Sequence, residues 1–131
     1  LKKIVMTLFT TTLLVFVFFA GSSEAFAMTS KGAINFQTDA NTYSKRATSI
    51  VVTGTMPKKY SKLNNGVTVF LVNKKGETVK SIASDRGNIR SFRVSFSTRN
   101  IPAGKYDVHV ATTWGTRTLV GELKHYITVQ H

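Results

Sequence analysis

From residue 33 onwards the chain alternates apolar and polar residues with a period of two, and Gly, Asn and Pro interrupt the alternation at intervals. Side chains on a strand point to opposite faces in turn, so this pattern predicts strands with one face buried and one wet. No window after residue 28 places apolar residues at i, i+3, i+4 and i+7 behind a capping residue, so no helix is predicted there. AINFQ (33–37) reads as a first strand and ATSIVVTGTM (47–56) as a second, with Ile50, Val52 and Met56 on one face. Gly54 marks a bulge or a close backbone approach. VTVFLV (67–72) is apolar on both faces, as a covered central strand should be. NKKG (73–76) turns it into ETVKSIA (77–83), a hairpin.

IRSFRVSFST (89–98) alternates cleanly, with Phe92, Val94 and Phe96 inward. NIPAG (100–104) turns the chain into KYDVHVATTW (105–114), where Tyr106, Val108 and Val110 face in and Lys105, Asp107 and His109 face out. A short turn then leads into TRTLVGELKHYITVQ (116–130), read as one last strand. Seven strands at this spacing predict an all-β fold, a single sandwich of about seven antiparallel strands spanning 33–131. MTSKG (28–32) is expected to be a loose N-terminal arm.

The first 27 residues follow a different pattern. Lys2 and Lys3 precede an uncharged, mostly apolar run from Ile4 to Ala20, then a polar spacer and Ala25-Phe26-Ala27. This is the layout of a secretory signal peptide (1–27) with cleavage after Ala27, and Ala25 and Ala27 are the small residues a signal peptidase requires. An uncleaved anchor is the competing reading, since 17 residues are at the lower limit for spanning a bilayer. Leu1 in place of methionine is what a non-standard start codon translated literally would give.

Composition then narrows the setting. The processed chain, 28–131, keeps 16 basic and 5 acidic residues, a net charge of +11. It has no cysteine, hence no disulfide, no thiolate metal site and no lipoprotein attachment point, and it has no N-glycosylation sequon. These features point to export from a Gram-positive-type bacterium, to a secreted or cell-wall-associated protein. A positive potential of this size attracts polyanions and also keeps a protein soluble.

The stretches VVTGTM, NNGVTVFLVNKKGETV and IRSFRVSFSTRNIPAGKYDVHV together resemble the bacterial immunoglobulin-like and fibronectin-III-like domains of secreted and surface proteins. Most characteristic are the F-x-V-x-F strand at 92–96 and the I-x-x-G-x-Y-x-V segment at 101–108. The resemblance covers about residues 47–110. It implies an immunoglobulin-like sandwich in which Gly104 and Tyr106 define a corner, the tyrosine hydroxyl bonding to backbone upstream. With no cysteine pair, and with its tryptophan, Trp114, late in the chain, the sequence departs from antibody-type domains. Such domains serve as spacers, adhesive modules or ligand-binding modules, and fold alone does not choose among these.

Few residues carry candidate chemistry. Asp107 and His109, the two candidate metal ligands, share a strand face and read as its wet side; a metal would need a third ligand, which His125 supplies only if a bulge at Gly121 reverses its parity. A lone pair of this kind is otherwise the wet side of a strand. No nucleophile elbow, S-x-x-K arrangement, carboxylate pair or phosphate loop is present, so the reading is a non-enzymatic protein without cofactors. The basic residues are the better candidates: Lys58, Lys59 and Lys62 with Tyr60 in the loop 57–66, Lys74 and Lys75 in a hairpin, Arg86 and Arg93 (with Arg90 and Arg99 flanking), and Trp114 at a hairpin end. Aromatics among lysines can stack on a sugar or a base, while lysines also blunt sheet edges against aggregation.

The expected function is a binding module at the cell envelope that holds an anionic wall polymer or polysaccharide, or an anionic surface, through lysine-rich loops. Nucleic acid is a less favoured partner, and membrane contact is expected only transiently, through the signal peptide. The alternatives are a diffusible protein-binding effector, such as an extracellular protease inhibitor or antagonist, and a membrane-active cationic protein.

Overall fold

The structure, a computed structural model, describes residues 27–84 and 87–130. The signal-peptide reading, including Ala25, lies outside the described residues, as do Asp85, Arg86 and His131. The described chain is all-β, with a single 3-10 turn and ten strands: β1 Ser30–Gly32, β2 Asn35–Thr38, β3 Thr42–Tyr43, β4 Ser49–Thr55, β5 Thr68–Asn73, β6 Thr78–Ala83, β7 Ser91–Ser97, β8 Gly104–Trp114, β9 Arg117–Leu123 and β10 Ile127–Val129.

The larger sheet is built on β8. Along one edge β5 runs antiparallel to it, from Thr68 opposite Ala111 to Asn73 opposite Tyr106. Along the other edge β9 pairs with its second half, Arg117 opposite Trp114 to Glu122 opposite His109, and β10 pairs with its start. β6 adds outside β5, β1 outside β9, and β3 outside β10. The smaller sheet has the order β2-β4-β7, all antiparallel. Inward residues of both sheets form one core, with Phe36, Ile50, Val52 and Phe96 from the smaller sheet and Val69, Leu71, Val108, Val110 and Ile127 from the larger. The two sheets therefore pack face to face. β5 is central, between β6 and β8, but only its core side is fully covered: Val69 and Leu71 are buried, whereas Phe70 on the other face is half-buried, so the cover expected on both faces is incomplete.

The expected seven strands become ten for three local reasons. The arm expected over 28–32 is instead tied down: Ser30–Gly32 pair with β9, and Thr38 N–H donates to the Met28 carbonyl at 3.0 Å. Thr42–Tyr43 form a two-residue strand that runs parallel to β10, so the sheets are not wholly antiparallel. The last predicted strand breaks at 124–126, and its two halves pair with different stretches of β8.

Two glycines do specific work. At Gly54 a Cβ would clash with Phe92 Cζ and stand 2.7 Å from Phe36 Cβ, so the missing side chain lets two aromatic residues close over the strand. Gly104 has φ +153°, a conformation that disfavours any side chain, where the chain turns into β8. Just beyond it, Tyr106 Oη donates to the Pro102 carbonyl at 2.6 Å, the corner that the sequence led one to expect.

Candidate functional site

Three loops meet at one end of the molecule, and side-chain hydrogen bonds stitch them together. Pro57 sets φ at −54° and opens a 3-10 turn, Lys58–Tyr60, closed by Tyr60 N–H donating to the Pro57 carbonyl at 2.8 Å. Asn64 follows, buried, and all of its side chain's hydrogen bonds go to backbone. Its Nδ2 donates to the carbonyls of Tyr60 (2.6 Å) and Ile89 (3.1 Å), and its Oδ1 accepts from the N–H groups of Ile89 (2.9 Å) and Gly66 (3.1 Å). A buried amide satisfied on both sides specifies one geometry, because losing any partner leaves a desolvated polar group.

Further bonds fix the same loop. Asn88 N–H donates to the Asn64 carbonyl at 2.8 Å, and Asn88 Oδ1 accepts from the Leu63 N–H. Asn65 Nδ2 donates to Thr113 Oγ1 at 2.6 Å, and Trp114 Nε1 donates to the Lys62 carbonyl at 2.9 Å. Tyr60 and Trp114 meet edge to face, centroids 5.0 Å apart at 72°. The segments 57–66, 87–90 and 113–117 thus form one rigid platform.

The platform is basic. Lys58, Lys62 and Arg90 line one open groove together with Ser61, Leu63 and Asn88. Lys59 Nζ sits 5.0 Å from the Tyr60 ring centroid, and Arg117 opens β9 beside Trp114. Among the described residues of these segments no carboxylate is present. Leu63 stands at the groove, 74% exposed, with a left-handed backbone at φ 65°.

The other residues singled out in the sequence fall elsewhere. Lys74 and Lys75 follow Asn73 at the Tyr106 end of the sheet, opposite to the platform, where Lys74 Nζ lies 5.8 Å from the Tyr126 ring centroid. The structure therefore does not join the two lysine clusters into one surface. Arg93 is exposed on β7, paired with Thr53, on the outer face of the smaller sheet. Trp114, expected as an exposed contact aromatic, is half-buried, packed against the core and occupied by Tyr60 and the Lys62 carbonyl. Trp114 and Tyr60 are thus half-buried and tied to the loop by these contacts.

Asp107 and His109 do come together, and the third group beside them is Glu122, not His125. Glu122 lies directly opposite His109 in the ladder. His109 Nε2 is 3.1 Å from Asp107 Oδ2 and 3.6 Å from Glu122 Oε1, and Lys31 Nζ is 3.8 Å from Glu122 Oε2. Asp107 Oδ1 also accepts the N–H groups of Val108 (2.8 Å) and Leu123 (3.1 Å). An imidazole and two carboxylates whose ligand atoms lie within 4.8 Å of one another can chelate a divalent cation. The same positions also make a charge-paired patch on the wet face of β8, with Lys31 completing it. His125 falls in the break between β9 and β10 and is exposed, beside the same carboxylates but outside the trio. Glu122 escaped the sequence reading because only the register between two strands places it there.

No family model matches the chain, and no curated protein matches it. Among solved structures, the PmoD soluble domain from Methylocystis sp. ATCC 49242 (Rockwell) is similar, with a TM-score of 0.52 at 11% identity, covering 79% of this chain and 98% of that one. At this identity the likeness is one of fold. It identifies the class, a small all-β domain that almost the whole of the PmoD domain overlies.

Proposed function

We propose that this protein is a small, secreted, non-enzymatic module with an immunoglobulin-like sandwich, acting at the cell envelope of a Gram-positive-type bacterium, and that its loop end holds an anionic polymer or surface. One observation carries the reading: Lys58, Lys62 and Arg90 converge on a single groove of a rigid platform that shows no acid among its described residues. Binding loops at one end of a sheet scaffold are a common arrangement, and here hydrogen bonds fix the loops before any ligand arrives. The immunoglobulin-like assignment is supported by the Tyr106 corner and by the pairing of β3 with β10 outside the β2-β4-β7 sheet.

Exposed cations attract a polyanion mostly through long-range electrostatics, which salt screens over about 10 Å at 0.1 M. The processed chain, 28–131, is therefore expected to be retained on purified cell walls at low salt, to lose that retention as salt rises, and to lose it on walls stripped of teichoic acid. Retention that ignores both salt and teichoic acid would contradict the proposal. A salt-tolerant, stoichiometric complex with one extracellular protein would favour the second reading, a protein-binding effector.

A further inference from the structure

Leu63 is the most exposed large apolar side chain among the described residues. Single exposed leucines are ordinary, but three features set this one apart. It adopts a left-handed backbone, which costs a branched residue energy and which asparagine or glycine would take more readily. That conformation is imposed by the Asn88 side chain and by the Asn64 hub on the next residue. Lastly, the side chain stands among Lys58, Lys62 and Arg90. An unfavourable backbone held in place by several bonds, and used to display an apolar group among cations, belongs with the strained positions that cluster at functional sites.

We infer that the platform docks on an anionic lipid bilayer, with Leu63 seated at the boundary of headgroups and acyl chains and with Lys58, Lys62 and Arg90 on the lipid phosphates around it. This rests on the reading that the loop end takes anionic surfaces, and it names which one. A wall polymer of phosphates and sugars gives the cations partners but offers Leu63 nothing. A lipid surface satisfies both, and peripheral attachment commonly needs an apolar anchor and a basic patch together. The contact is distinct from passage of the signal peptide through the membrane.

The test compares Leu63→Asn with the unaltered processed chain. The described strands lie within 30–129 and Met28 packs against their core, so 28–131 keeps every described strand and core residue. Asparagine tolerates the left-handed backbone, so Leu63→Asn should melt at the same temperature or higher. Sedimentation is measured with phosphatidylcholine vesicles carrying phosphatidylglycerol, with phosphatidylcholine alone, and with soluble teichoic acid. The expected result is binding to the anionic vesicles that weakens about tenfold in Leu63→Asn, as loss of a partly buried leucine implies, with affinity for teichoic acid unchanged. Lys58→Gln/Lys62→Gln should weaken both.

Vesicle binding that Leu63→Asn leaves intact, or binding to teichoic acid with none to vesicles, would overturn the lipid assignment while sparing the broader reading. Equal loss of polymer and vesicle binding in Leu63→Asn would also overturn it. Binding to neither ligand by the unaltered chain would overturn both.

Discussion

Tyr43 shows how much one buried side chain can decide. Its hydroxyl donates to Asp39 Oδ1 at 2.6 Å and accepts from the Ala40 N–H at 3.1 Å, and Asp39 Oδ1 also accepts from the Val51 N–H at 3.1 Å. One buried phenol and one carboxylate thereby join β3 to β4, which belong to different sheets. Burial, reinforced by the Asp39 charge, raises the Tyr43 pKa far above the ordinary tyrosine value of 10.0, and burial raises that of Tyr106 as well. The folded protein therefore keeps protons that the unfolded chain releases, so this stability is fully present below pH 10 and is lost as pH rises above it. Tyr43→Phe is expected to cost about 1.5 kcal/mol at pH 7 through the lost hydrogen bond. It should also flatten the alkaline fall in stability by about 1.4 kcal/mol per pH unit. Denaturant unfolding from pH 8 upwards checks both, and an unchanged alkaline slope would contradict them. Nothing in the alternation of the sequence marks Tyr43, because its strand is two residues long and carries no period.

At the scale of elements, the long strands were legible and the short ones were not. β5, β7 and β8 each place several residues on a buried face, and their inward positions, such as Phe92 and Phe96 or Tyr106, Val108 and Val110, are those the alternation predicts. β1 and β3 are edge strands of two or three residues, fixed by pairing with β9 and β10 rather than by pattern. The break at 124–126 is hidden because the parity of the inward residues is the same on both sides of it. The loop 57–66 could be read as basic, yet its rigidity could not, since Asn64 bonds to Ile89, 25 residues away. Asn64→Ala would leave the Ile89 and Gly66 N–H groups without those bonds in a closed site. A loss of about 3 kcal/mol is expected, with faster hydrogen exchange at those two amides. Exchange that stays slow there would show that the platform does not depend on the amide.

The whole molecule is a carrier of positive charge with a shape that sorts it. The sequence showed the excess of +12, of which +11 lies in 28–131, and the clusters that make it up, but not which clusters share a surface. That follows from sheet register: β5 runs antiparallel to β8, so the loop before it meets Trp114 while the hairpin after it, with Lys74 and Lys75, lies at the far end. Lys105 lies at that end too, opposite Thr128, with its Nζ 3.2 Å from Thr128 Oγ1. Register likewise puts Glu122 beside His109, and no property of either residue alone announces it. If net charge alone governed binding, removing three cations from either end would have the same effect. If the platform is the site, the two ends differ.

Two triple variants of equal charge therefore separate these cases: Lys58→Gln/Lys62→Gln/Arg90→Gln at the platform, and Lys74→Gln/Lys75→Gln/Lys105→Gln at the opposite end. Each is measured for retention on teichoic acid-bearing cell walls at one low salt concentration. If the platform is the site, as the account holds, the platform triple loses most of its retention, while the opposite triple, whose cations lie beyond the roughly 10 Å screening length at 0.1 M salt, loses little. Equal losses in the two triples would contradict it and leave the positive charge as a property of the whole surface.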